Sequence, residues 1–325
     1  MNSQKRLFEA IKSKLPKSVN LSDAIADLLG GKSDSAYRRI RGDKPLSFPE
    51  LEKISNKYHV SIDEFLNFNT KQNVLFQFYP VSDADSYIKY MSQLSERFDV
   101  LASASEKELL FAAQDIPFYH FLKYHELAIF RIYAWHRTVT CNAESFSDFY
   151  NGSDGNTIKS LYEKIYLNYL HIPSTEVWTG QTVDTTVRLL EYYSDTGAFG
   201  DRDTALLLAD QLANMLDAVK QLAIDGYKGS VTKTPFSMYA CSTNVENDFM
   251  MTRNGEEWTC TMKLYAINRI TSGNEFLCSE TLKWIDSLKA KSILISGNTA
   301  FKERFHFFNS EKEKIQLLVN KITTN

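Results

Sequence analysis

Over roughly the first seventy positions, apolar residues recur every three or four places in short bursts, separated by polar and glycine-bearing breaks. Leu7, Ile11 and Leu15 form the first burst, and Ala24, Ile25, Leu28 and Leu29 the second. Spacing of this kind lays one apolar stripe along an α-helix. Asn20-Leu21-Ser22-Asp23 supplies a capping side chain and a first-turn acid for the second helix, which Gly30 and Gly31 then stop. Ser33, as a new cap followed by Asp34, restarts a helix within a few residues. On that helix Ala36, Tyr37 and Ile40 are predicted to pack inward, while Arg38, Arg39 and Arg41 project away. Two capping boxes follow, Ser47-Phe48-Pro49-Glu50 and Ser61-Ile62-Asp63-Glu64, in which hydroxyl and carboxylate satisfy each other's neighbouring N–H donors. Their helices carry the apolar faces Leu51, Ile54 and Tyr58, then Ile62, Phe65 and Leu66. The pattern therefore predicts five short helices closing one small core over residues 1–68.

A polar stretch without period, residues 69–73, reads as a linker. Beyond it, Tyr87, Tyr90, Met91, Leu94 and Phe98 fall at helical spacing, and further helical patterns cover 118–135, 158–170, 182–193 and 203–225, the last ending at Gly226. The character then changes. Trp258-Thr259-Cys260-Thr261-Met262-Lys263-Leu264 alternates at period two after an Asn254-Gly255 turn, which predicts a small antiparallel sheet within 238–270. A helix over 275–289, a short strand over 292–296 and a final helix opened by the box Ser310-Glu311-Lys312-Glu313 complete the chain. The expected fold class is mainly α: a five-helix N-terminal domain, a helical domain over 74–226, and a small α+β part over 227–325 packed on it or continuous with it.

The first seventy residues resemble the phage-repressor (Cro-like, lambda-repressor-like) helix-turn-helix family. The resemblance rests on the paired helices around Gly30-Gly31, the glycine-ended helix Ser33 to Gly42, the proline-containing connection, and the terminal segment Val60-Ser61-Ile62-Asp63-Glu64-Phe65. It covers about a fifth of the chain and implies a five-helix lambda-repressor-like domain that binds double-stranded DNA as part of a bacterial transcription regulator. The chain departs from the pattern at Gly31 and Ala36, where the family usually places β-branched residues. The resemblance lays the second helix of the pair in the major groove, with a homodimer spanning half-sites about one duplex turn apart. Ser33, Asp34, Ser35 and Tyr37 then approach base edges, with Ser35 the direct reader; Arg38 is placed to pair with guanine, and Lys32, Arg39, Arg41 and Lys44 to hold phosphates.

Charge supports a local DNA contact. Residues 1–70 carry 12 Lys and Arg against 9 Asp and Glu, while the remainder carries 25 against 31. The basic excess thus lies in the first domain, concentrated on the second helix of the pair and the loop after it. A net charge of −3 and a pI near 6.1 exclude a chain coated all over in nucleic acid. At 325 residues the chain is far longer than a minimal repressor, so the rest is expected to dimerise, to sense an unidentified small-molecule effector, or both. The competing reading is a non-enzymatic scaffolding protein whose N-terminal helices bind a protein partner.

Other chemistry is not signalled. No G-x-G-x-x-G, Walker-type loop, G-x-S-x-G or H-E-x-x-H sequence is present, and His120, His125 and His136 lack metal-ligand spacing, so no enzyme activity, cofactor or metal is expected. Cys141, Cys241, Cys260 and Cys278 are far apart, as suits reduced thiols in a cytoplasmic protein, and no membrane span is expected. Ser82-Asp83-Ala84-Asp85-Ser86 reads as a helix cap rather than a calcium loop. The run Lys291 to Asn298, leading to Lys302, Arg304 and His306, reads as strand, turn and helix, with anion binding as the alternative.

Overall fold

The computed structural model of the chain describes residues 3–16, 19–62, 73–140, 144–152, 154–265 and 267–324. It divides into two compact units, Met1–Leu75 and Phe76–Asn325.

In unit 1, apolar periodicity becomes four helices among the described residues: α1 (Ser3–Lys14), α2 (Leu21–Leu29), α3 (Ser33–Arg41) and α4 (Phe48–Tyr58). Leu7, Phe8 and Ile11 of α1 meet Ile25 and Ala26 of α2, Ala36 of α3, Ile54 of α4 and Val60 in one core. The expected five-helix arrangement is therefore corrected to four; the segment expected to form the fifth, and the expected linker, fall largely within 63–72, outside the described residues. Asn20 caps α2 by accepting from the Ser22 N–H, and Gly30 ends it at φ +65°, a backbone conformation glycine reaches without a Cβ clash.

Unit 2 consists, in order, of β1 (Gln77–Tyr79), α5 (Ala84–Ser103), β2 (Lys107–Ala112), α6 (Phe118–Phe121), α7 (His125–Thr140), α8 (Phe146–Gly152), α9 (Gly155–Leu170), β3 (Ser174–Thr179), α10 (Asp184–Asp195), α11 (Arg202–Asp225), β4 (Tyr227–Lys228), β5 (Thr234–Cys241), β6 (Phe249–Asn254), β7 (Glu257–Lys263), β8 (Arg269–Ser272), α12 (Glu275–Ala290), β9 (Ile293–Leu294) and α13 (Phe301–Thr324). The strands form one nine-stranded sheet in the order β1-β8-β7-β6-β2-β3-β5-β4, with β9 also on β5. Here the small antiparallel sheet is overturned. β3 runs parallel to both β2 and β5, joined to them by long helical crossovers, and only the flanking pairs are antiparallel.

The reason lies in burial. Leu109 and Phe111 of β2 enter the large core formed with α5, α7, α9 and α11, while Leu110 and Ala112 enter a second core beneath α12. A strand covered on both faces reads as an unbroken apolar run, Leu109-Leu110-Phe111-Ala112-Ala113, and shows no period two. By contrast, β7 keeps apolar and polar residues alternating in sequence, after a tight turn in which Gly255 takes φ +63°. The last helix also differs from expectation: α13 begins at Phe301, and Ser310 lies inside it rather than opening it.

Candidate nucleic-acid interface

The geometry of α3 is set from three sides. Its first residue, Ser33, donates from Oγ to Asp23 Oδ1 of α2 at 3.0 Å. Its C-terminus closes on Gly42, whose φ of +85° lets the cap N–H reach the Arg38 and Arg39 carbonyls. Gln4 of α1 fixes the exit, with Nε2 donating to the Arg39 carbonyl at 2.6 Å and the Lys44 carbonyl at 2.8 Å, and Oε1 accepting from Leu46 N at 3.1 Å.

The inward face of α3 is Ala36, Arg39 and Ile40. Two expectations need correcting. Tyr37 does not pack inward; it is 51 % exposed. Arg39 does not project away; only 8 % of it is exposed, and its guanidinium bonds Glu50 of α4 together with the Ser35 hydroxyl and carbonyl. Helical phase explains both. At about 100° per residue, Arg39 and Ile40 fall within about 60° of Ala36 on either side, whereas Tyr37 lies a full 100° round the helix. A long stem then lets Arg39 cross the interface and keep its charge paired.

Glu50 does two things. One oxygen accepts from the Ser47 N–H at 2.9 Å to open α4, and the other receives Arg39. The Arg39 hydrogen bond holds the Glu50 carboxyl below its ordinary pKa, against the opposing effect of burial. The capping box was legible in the sequence, but the second role of its acid was not, because it depends on which way α3 is rolled.

What remains on the outer face is Lys32, Ser33, Asp34, Tyr37, Arg38 and Arg41, with Lys44 on the following loop, all exposed. Ser35 is half-buried, its hydroxyl committed to Arg39. Arg41 lies 5.8 Å from the Tyr37 ring centroid and 3.3 Å from Asp43 in a solvent-exposed pair. Such a pair is worth little and releases its cation easily. Arg38 and Arg41, with Lys32 and Lys44, thus outnumber Asp34 and Asp43 on a helix whose backbone is held at both ends. Phe48, 76 % exposed at the start of α4, adds an apolar contact beside them.

Unit 2 holds charged groups that sequence reading missed. Glu176 of β3 is completely buried and accepts from Tyr169 Oη at 2.8 Å, Trp178 Nε1 at 2.8 Å, His120 Nε2 at 2.9 Å and Tyr119 Oη at 3.1 Å. Burial alone raises a carboxyl's pKa, yet the His120 charge and these donors hold Glu176 below its ordinary value. Lys228 Nζ, also sealed, donates to the Tyr169 and Ile172 carbonyls and Ser174 Oγ, and burial lowers its pKa well below that of an ordinary lysine. With its donors and acceptors matched, this cluster fastens β3 to α6, α9 and β4. Its one sequence signal was a lone acid in Ser174-Thr175-Glu176-Val177-Trp178.

In the run after Lys291, Arg304 spends one nitrogen on the carbonyls of Ile295, Gly297 and Thr299, while Lys302 and His306 are exposed. Among the described residues no group of three or more His, Cys, Asp or Glu has metal-site geometry, and Asp83 caps α5 through the Ser86 N–H. Cys241, Cys260 and Cys278 are buried free thiols, while Cys141 lies outside the described residues. No described helix is long and apolar enough to cross a membrane. Comparison of the chain with protein-family models, with curated proteins and with solved structures found no match.

Proposed function

We propose that the chain is a sequence-specific DNA-binding transcription regulator, in which unit 1 contacts double-stranded DNA through the outer face of α3 and unit 2 dimerises, senses a ligand, or both. The observation that carries this reading is the division of labour among the three arginines of α3. Arg39 is spent on holding the helix to α4, which leaves Arg38 and Arg41 exposed on a fixed backbone. Cations held in register are what phosphate and base-edge contacts require. Arg38 and Tyr37 face base edges in this arrangement, while Arg41, Lys32 and Lys44 contact phosphates. The test is selection of bound sequences from random duplex DNA by the full chain. An enriched motif is expected, and its loss in the Arg38→Ala, Arg41→Ala double variant, with thermal stability within about 0.5 kcal/mol of the parent, supports the assignment.

A scaffolding role is the second reading, because Tyr37 and Phe48 present aromatic surface beside those cations. It is favoured if no duplex sequence is enriched and a protein partner is lost on replacing Phe48 by Ser.

A further inference from the structure

Between α5 and the strands β1, β8, β7 and β6 lies a groove of about 620 Å³. That volume is within the range of small-molecule sites, roughly 300–1,000 Å³. Its two walls differ. α5 and α6 contribute Leu94, Phe98, Leu101 and Phe118, whereas the sheet contributes a ladder of hydroxyls: Thr252 stands opposite Thr259, and Thr261 opposite Thr271. Thr261 and Thr271 hydrogen-bond each other at 3.1 Å, a stabilising cross-strand pair, and the ladder still sets polar groups opposite an apolar helix face. It offers donors and acceptors to something placed between them.

Arg269 of β8 stands where this groove continues into a narrower recess of about 90 Å³, and it lines both. It is 8 % exposed, its guanidinium carbon lies 5.2 Å from the Phe118 ring centroid, and it lies beside Tyr90, whose pKa is raised by burial against the lowering effect of the Arg269 charge. Its Nη1 is buried without a hydrogen-bond partner. The neighbouring charges do not serve it. In the recess Asp115 is paired with Arg131, and Asp248 with Lys263 at 2.5 Å, so two acids meet two other cations. Among the described residues Arg269 has no carboxylate within ion-pair distance and is the buried cation of the site left so; Arg97 and Glu96, which also line the groove, are exposed and of opposite charge. Leaving a buried donor unmatched costs about 1–3 kcal/mol, more when it is charged.

We infer that this groove binds a small organic monocarboxylate with an apolar body, its carboxylate seated on the Arg269 guanidinium. A single unmatched cation balances one negative charge, and the planar guanidinium suits a planar carboxylate. A phosphate dianion would need a second buried cation; Arg131 and Lys263 are already committed, and Arg97 lies exposed against the Tyr79 hydroxyl. The ligand's apolar part lies against Leu94, Phe98 and Leu101, and its polar substituents reach the threonines. This gives the sensing half of the proposed function a site and a ligand class, and so rests on that reading for its biological meaning; its test does not pass through DNA.

The test is calorimetric titration of the full chain with 4-phenylbutyrate, 2-naphthoate and octanoate, and with the amides of the same three acids. Binding of at least one acid is expected, at least tenfold tighter than its amide. In Arg269→Gln that acid is expected to weaken at least tenfold. Gln93→Trp narrows the groove from α5 without touching the cation, so it should also weaken binding at least tenfold and guards against misfolding of the Arg269 variant. The Arg38→Ala, Arg41→Ala double variant should bind the acid unchanged, so a failure of the DNA reading leaves this result standing. Three outcomes overturn the inference: no acid binds at millimolar concentration, acids and amides bind alike, or Arg269→Gln and Gln93→Trp both retain full affinity.

Discussion

Arg39 in unit 1 and Arg269 in unit 2 are equally buried, each 8 % exposed, and yet they are treated in opposite ways by their surroundings. Arg39 meets a carboxylate, a hydroxyl and a carbonyl, all from the elements it holds together, and leaves only Nε without a partner. Arg269 has Tyr90 and the face of Phe118 beside it but, among the described residues, no carboxylate. A buried cation that is matched belongs to the fold, because desolvating it is repaid within the chain. One left unmatched is a cost that folding alone does not explain, and a cavity beside it with room for an anion does. The same comparison sorts the arginines of α3: Arg39 holds the helix, and Arg38 and Arg41 are available.

The largest expected effect that could break this comparison is on Arg39. Arg39→Ala leaves Glu50 half-covered without its cation and removes the tie between α3 and α4. With the two side chains 10 % and 22 % exposed, solvent screens part of the loss, and unit 1 should be destabilised by about 2 kcal/mol. Hydrogen exchange of peptides from residues 3–62 in the full chain measures this. All four tryptophans lie beyond residue 75, so tryptophan fluorescence follows unit 2 alone and should not move.

Acid gives a smaller, graded version of the same loss. The folded-state pKa of Glu50 is below its unfolded value, so its contribution is complete above the ordinary glutamate value of 4.5 and disappears as pH falls through the depressed folded value. Protection of α3 and α4 should therefore decline below about pH 4.5, and Glu50→Gln should flatten that part of the profile. A profile unchanged by the substitution would detach Glu50 from the stability of the pair.

The smallest effect belongs to Arg269. Arg269→Met removes an unmatched buried charge and fills similar space, so the stability of unit 2 in urea, followed by tryptophan fluorescence, should move by no more than about 1 kcal/mol, in either direction. A loss as large as that of Arg39→Ala would make Arg269 a structural residue and erase the contrast.

How much of this was legible in the sequence follows from how local each determinant is. α2, α3 and α4 were announced by caps, glycines and apolar spacing within a few residues of each boundary, and α11 by its stripe and Gly226. β2 and β3 were not announced, because their parallel partners lie more than sixty residues away and burial on both faces removes the alternation that marks a strand. Within the candidate interface, the cluster of arginines was visible, but the choice among them was not. That choice turns on the roll of α3 against α4, and on Glu50, whose place in a capping box already accounted for it. Arg269 carried no signal at all, since a cation in an alternating strand reads as solvent-facing until α5 is seen to cover it.

The central claim, that α3 presents Arg38 and Arg41 to DNA while Arg39 holds the helix, is tested most directly by titrating the selected duplex at a series of salt concentrations. Wild type and the Arg38→Ala, Arg41→Ala double variant should differ by more than tenfold in affinity. The variant's log–log salt dependence should be shallower by up to about 2, close to one for each phosphate that the missing arginines would have neutralised. Equal affinity and an equal slope in the two proteins would contradict the claim.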